Sequence, residues 1–287
     1  MLRVLLFAAT NLAIMAVLYV VLMLLGLDRS SSGGFLIMAL LFGFGGSIIS
    51  LFLSKWMAKR SMGVRIVEQP STPFERWYLE TVARQAQAAG IRMPEVGIFE
   101  SPDPNAFATG WNRNDALVAV STGLLQNMGR DEVEAVIGHE ISHVANGDMV
   151  TLALVQGVLN TFVIVLSRVI GSVVDGMLRG QNSENSGPGI GYFIVSMIAQ
   201  VLLSFLATMV VMWFSRYREF RADAGGASLA GRQNMISALR ALQRQHEPHD
   251  LPAGEMAAFG MSGTIGSLFS SHTPLEQRIA ALEQARG

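Results

Sequence analysis

The chain contains no cysteine. Disulfides are therefore excluded, and so is any structural zinc site built on thiolates. A metal bound here must take nitrogen and oxygen ligands. Charge is scarce as well. Only 15% of the 287 residues are Asp, Glu, Lys or Arg, against about a quarter in ordinary soluble domains. The net charge of -1 offers no basic face to nucleic acid, and no such partner is expected. Histidine is limited to five positions, His139, His143, His246, His249 and His272, so any ligand search is short. No G-x-x-x-x-G-K-[ST] loop occurs, and the chain carries no ATP-driven motor of that kind.

What fills the space is apolar sequence, 51% of the chain, gathered into long runs. Val4 to about Leu27 is long enough to cross a hydrocarbon core of about 30 Å. It exceeds a signal-peptide core and is followed by Leu-Asp-Arg-Ser instead of a small-residue cleavage site, so it reads as an uncleaved span. Phe35 to about Leu53 is a second run, with Gly43, Gly45 and Gly46 suited to close helix packing. Lys55, Lys59, Arg60 and Arg65 follow, a cytoplasmic signature by the positive-inside rule. Met149 to about Val174 and Ile190 to Phe214 form a third and a fourth run, joined by a polar Gly/Ser/Asn-rich connector over 175–189. Arg216, Arg218 and Arg221 repeat the cytoplasmic signature, and four crossings bring the chain back to the side it left.

The expected fold is mainly α-helical: an integral membrane protein of about four apolar spans with a cytoplasmic α+β domain. Residues 1–54 form an N-terminal hairpin and 55–148 the first part of the cytoplasmic domain. Residues 149–214 form a second hairpin, and 215–287 the second part of that domain. Within 55–148, Thr72-Pro73-Phe74-Glu75 is a capping box with proline at the first helical position, and Gly90 closes that helix. Val96 to Phe99 is a strand candidate. Asn105–Gly110 and Ala116–Val120 flank a turn and predict a β-hairpin. Asp131-Glu132-Val133-Glu134 predicts a capping box opening the next helix, which Asn146-Gly147 ends.

That helix carries Gly138-His139-Glu140-Ile141-Ser142-His143. Histidines four apart project from one helical face, a spacing suited to two corners of a tetrahedral zinc site. Glu140 lies beside the first histidine, where it can take a proton from a metal-activated water without ligating the metal. H-E-x-x-H on a helix is the zinc-metalloprotease pattern, and with it the cytoplasmic α+β domain is expected to be a protease domain of zincin type. A pair of histidines on an ordinary polar face gives the same three matches. The choice turns on a third ligand.

Glu219 and Asp223, also four apart, follow the fourth run. Glu219 can complete the zinc site, with Asp223 accepting from a ligand imidazole's other ring nitrogen. The competing reading is a juxtamembrane helix whose acids pair with Arg216, Arg218 and Arg221. An extended motif with a later histidine is excluded, because Asn146 and Met149 stand where glycine and histidine would be needed. His246 and His249 sit in a polar stretch and read as solvated. His272 is either a loop residue or a candidate to hydrogen-bond the developing oxyanion.

These residues, with Asn146-Gly147-Asp148 after the first pair and Glu219-x-x-x-Asp223 after a membrane hairpin, resemble the HtpX-type heat-shock membrane metalloproteases, relatives of the CAAX prenyl endopeptidases. The resemblance covers the two N-terminal spans, Asn105-Ala106-Phe107-Ala108, Val120-Ser121-Thr122-Gly123-Leu124-Leu125 and Arg216 to Gly225. It implies a multi-pass protease of the bacterial inner (plasma) membrane whose catalytic domain faces the cytoplasm. It implies one zinc ion per chain on His139, His143 and Glu219, with Glu140 as catalyst. It also implies quality control of damaged or misfolded membrane proteins, alongside an ATP-dependent membrane protease.

Protein substrates, chiefly membrane proteins in the lipid bilayer, would have to arrive locally unfolded, and self-cleavage is an expected hazard. Asn105, Ala106, Phe107, Ala108 and Thr109 are a candidate edge strand for pairing with substrate backbone. The same stretch reads equally as an internal strand with Phe107 in the core. Two other function classes compete: a membrane metal transporter, whose ionisable groups would sit within the spans, and an inactive membrane scaffold.

Overall fold

The computed structural model describes residues 32–179, 189–246 and 273–285. The expected first span, most of the connector, His249 and His272 lie outside these residues. Helix α1 (Ser32–Ser61) contains the second apolar run. It is followed by β1 (Arg65–Ile66), α2 (Pro73–Ala88), β2 (Glu95–Phe99), β3 (Ala106–Asn112) and β4 (Asp115–Ser121). Then come α3 (Thr122–Asn127), α4 (Arg130–Asn146), α5 (Asp148–Arg179), α6 (Ile190–Ala230), α7 (Arg232–His246) and α8 (Leu275–Gln284).

Among the described residues, three helices are long and apolar enough to cross a membrane: α1, α5 and α6. Their contacts divide the described chain into two compact units. The first gathers residues 32–50, 152–179 and 189–211. Small residues set its packing. A side chain at Gly43 would collide with the Thr161 hydroxyl and backbone, and one at Gly157 with the Phe44 ring. Met38, Ala39, Phe42 and Ile164 form its buried cluster. Phe162, Phe193 and Leu202 point outward, each more than 60% exposed, as expected of side chains whose solvent is hydrocarbon.

The second unit runs from Leu51 to Thr151 and resumes at Met212. Its sheet has the order β1-β2-β4-β3, with β2 and β4 parallel and the other pairs antiparallel. The expected hairpin is β3–β4. Period-two alternation sends Ala116, Val118 and Val120 into the main core, while Leu117 and Ala119 join Phe99 in a smaller core on the opposite side. Tyr78 of α2, Ile137 and Ile141 of α4, Leu239 of α7 and Ile279 of α8 fill the main core. Both α4 and α8 thus pack into that one core.

Local signals explain the helix ends. Thr72 caps α2 by accepting from the Glu75 amide at 3.1 Å, and Gly90 leaves the helix with φ +67°. The Glu75 carboxylate reaches one residue beyond the cap, to the Ser71 amide and hydroxyl, both at 2.7 Å. For α4 the expected box at Asp131–Glu134 is corrected. The helix starts at Arg130 with Gly129 as its cap, and Glu132 accepts from the Gly129 amide at 2.9 Å. Two acids in the first turn suit the helix dipole from either start, so sequence alone misplaced the boundary. Gly147, at φ +66°, ends α4 in the left-handed conformation.

Candidate metal centre

Helix α4 presents His139 and His143 on one face, and the C-terminal part of α6 presents Glu219 and Asp223. The two helices approach through glycine. A Cβ on Gly226 would lie 3.0 Å from the His139 amide nitrogen, and one on Gly138 would lie 3.2 Å from Gly226 Cα. A Cβ on Gly225 would collide with the Ser142 hydroxyl. Backbone therefore meets backbone where the two pairs of side chains face each other.

The resulting geometry is tight. His139 Nε2 and His143 Nε2 are 3.1 Å apart. Glu219 Oε1 is 3.3 Å from His143 Nε2, and Glu219 Oε2 is 3.8 Å from His139 Nε2. Two corners of a tetrahedron with bonds of about 2.0–2.1 Å are separated by about 3.3–3.4 Å, so the three groups fit one zinc ion with an open fourth position. His139, Glu219 and Asp223 are buried, and His143 is half-buried.

The outer nitrogens are satisfied. His139 Nδ1 lies 2.9 Å from Asp223 Oδ1, and His143 Nδ1 lies 2.6 Å from Asp148 Oδ2. An ionised carboxylate only accepts, so each Nδ1 donates, and a ring that carries no second proton turns a bare Nε2 lone pair inward. Two such lone pairs at 3.1 Å, with a carboxylate beside them, repel unless a cation lies between. The same acids act on protonation. Burial pushes the His143 imidazole down, but hydrogen bonds to Asp148 and Glu219 outweigh it and hold the group up at about 10. This is a cage built for positive charge.

Sequence reasoning missed two members of that cage. Arg278, from α8, donates to Asp223 through Nε at 2.7 Å and Nη2 at 2.5 Å, and its Nη1 lies 3.1 Å from Glu219 Oε2. Asp148, the first residue of α5, was quoted only as part of the motif's tail. Its backbone carbonyl accepts from buried Arg218 at 2.8 Å. With neutral imidazoles, four carboxylates (Glu140, Asp148, Glu219, Asp223) and two guanidinium groups (Arg218, Arg278) leave a balance of two negative charges, which a dication would cancel. Glu140 is half-buried, and its carboxylate makes no hydrogen bond or ion pair among the described residues.

The expected edge strand does lie at the sheet's edge, since β3 pairs with β4 alone among the described strands. Phe107 is half-buried and packs on Phe99 with ring centroids 5.5 Å apart. β3 is thus an edge strand and not an internal one, with Phe107 nonetheless packed on the smaller core and Asn105 just before the strand's start.

Residues 74–286 match peptidase family M48. The chain belongs to that family. M48 peptidases are zinc-dependent metalloproteases, so this chain is a hydrolase of peptide bonds whose cofactor is zinc. The M48 peptidase is 61% identical to "Protease HtpX" of Stenotrophomonas maltophilia (strain R551-3), over 98% of this chain and 97% of that one. It is 58% identical to "Protease HtpX" of Xanthomonas axonopodis pv. citri (strain 306), over 99% and 98%. It is 59% identical to "Protease HtpX" of Tolumonas auensis, over 99% of each. Among solved structures, that of S. mikatae Ste24p superposes with a TM-score of 0.68 at 19% identity, covering 98% of this chain and 64% of that one. The similarity to Ste24p establishes a shared fold. Together with the three apolar helices, these relatives mark a membrane metalloprotease.

Proposed function

We propose that this M48 peptidase is an endopeptidase of the bacterial inner membrane, with its active site on the cytoplasmic side, acting on damaged or misfolded membrane proteins. The convergence of two imidazoles and one carboxylate, each imidazole backed by an acid, carries this reading. His139, His143 and Glu219 would hold the zinc, while Asp223 and Asp148 orient the two rings. Bound there, zinc supplies Lewis acidity towards water and a peptide carbonyl. Glu140 takes the proton of the attacking water as its oxygen bonds to the carbonyl carbon. It then returns that proton to the amine as the C–N bond breaks.

The protease domain is read as two segments, 55–148 and 215–287, separated by a membrane hairpin at 149–214. Lys55, Lys59 and Arg60 near the end of α1, Arg65 after it, and Arg216, Arg218 and Arg221 late in α6 support a cytoplasmic orientation. A fourth span, Val4 to about Leu27, completes an even number of crossings. The edge position of β3 supports substrate binding by strand addition, which reads backbone more than side chains and suits unfolded segments of varied sequence. A partnership with an ATP-dependent membrane protease would supply unfolding, for which this chain carries no G-x-x-x-x-G-K-[ST] loop. Full-length protein in detergent should cleave unfolded casein, lose that activity to a chelator and regain it with zinc. Cleavage that persists in chelator would contradict the proposal.

A further inference from the structure

We propose that Trp111, at the tip of the β3–β4 hairpin, is an interfacial anchor that seats the protease sheet on the phospholipid headgroup layer. The inference rests on the reading of α1 as a membrane span. The apolar run of α1 ends at Leu53, and Lys55, Lys59 and Arg60 follow. Phe52 stands at that change of character. Its ring stacks on Trp111, with centroids 5.2 Å apart and planes 30° apart. The indole therefore lies level with the point where the helix passes from apolar to basic sequence, which is the depth that membrane-interface tryptophans occupy.

Both rings remain open on their outer sides, Phe52 55% and Trp111 41% exposed, with Trp56 a further 62% exposed one turn along. A cluster of large exposed aromatics on a water-facing surface would be a liability. At the headgroup boundary it is an amphipathic device. The indole N–H is satisfied, donating to Asp115 Oδ2 at 2.5 Å, so the ring can enter an apolar layer without an orphaned donor.

The height of the hairpin is set by ion pairs. Lys55 bridges Glu95, at 2.8 Å, and Asp115, while Lys59 also pairs with Glu95. These links tie the end of α1 to β2 and β4 just below the aromatic pair. The surroundings suit headgroups more than acyl chains. A recess of about 400 Å³ beside the indole is lined by Lys55, Arg92, Asn114 and Asp115 among others. Arg92 and Arg113 are exposed there and can meet lipid phosphates. From this anchor β3 runs into the sheet, so one end of the edge strand is held at the membrane surface.

Four tryptophans allow a test with internal controls: Trp56, Trp77, Trp111 and Trp213. Full-length versions keeping one tryptophan each, the others changed to Phe, are placed in phosphatidylcholine vesicles whose acyl chains carry bromine near the headgroup or deep in the core. Trp111 should be quenched roughly two-fold more by the shallow bromine than by the deep one. Trp213, 62% exposed on α6, should be quenched by brominated lipid. Trp77, which lies under the Arg130 guanidinium on α2, should not be. If multiple substitution prevents folding, the otherwise unaltered chain is compared with Trp111→Phe, which should lose shallow-quenched fluorescence. Quenching of Trp213 with none at Trp111 would overturn the anchor and leave the membrane reading intact. Absence of quenching at both would overturn the two together.

Discussion

Arg278 grips Asp223 with two parallel hydrogen bonds, Nε to Oδ2 at 2.7 Å and Nη2 to Oδ1 at 2.5 Å, while Asp223 holds His139 through its own Oδ1 at 2.9 Å. A residue of the last helix thus fixes the orientation of the first histidine on α4. Burial pushes the Arg278 guanidinium towards the neutral form, but Asp223 and Glu219 outweigh it and keep the charge in place. Arg278→Met removes one partner of a buried ion pair and leaves two acids facing each other, which should cost about 3–5 kcal/mol of stability. Arg278→Lys keeps the charge without the planar fork and should recover only part of that loss. Denaturant unfolding of the full chain in detergent reads both; a Met variant as stable as the parent would dismiss this role.

Asp148 does for His143 what Asp223 does for His139, from the first turn of α5. Asp148→Ala should weaken zinc binding by about 10–100-fold, the usual effect of losing an orienting acceptor behind a ligand imidazole. Competition against a chromophoric chelator measures this without reference to turnover. Unchanged affinity would show that Asp148 only starts a helix.

Glu75 supplies a pH dependence away from the metal. Hydrogen bonds from the Ser71 hydroxyl and amide, then from Arg65, hold its carboxylate down at about 2, from an ordinary value of 4.5. A carboxyl whose pKa is lower in the folded chain stabilises fully above about pH 4.5 and loses that contribution as pH falls through about 2. The parent should therefore melt above Glu75→Gln at neutral pH, with the gap closing across that interval. A gap that is constant with pH would mean that the carboxylate's charge plays no part.

Much of the candidate site is legible in the sequence because its signals are local. Two histidines four apart share a helical face whatever surrounds them, and alternation over Ala116–Val120 marks a strand without knowledge of its neighbours. Glu219 and Asp223 are legible for the same reason. What escaped depends on distant pairing. Arg278 sits in an amphipathic helix where a buried arginine and a solvated one look alike, and its partner is 55 positions away. The Gly138–Gly226 approach joins two helices far apart in the chain, and glycine inside a helix announces weakness before it announces contact. Asp148 reads as a polar residue just ahead of an apolar run until the left-handed turn at Gly147 folds it back onto His143. The cap of α4 was misplaced because Gly129 has no side chain to advertise the position.

Glu140→Ala, assayed for peptide hydrolysis and zinc content in the same preparation, tests the central claim most directly. The account predicts a loss of roughly 10²–10⁴-fold in rate, the contribution of a positioned general base, with about one zinc still bound per chain because no ligand has been touched. Hydrolysis at the parental rate, with zinc retained, would contradict it.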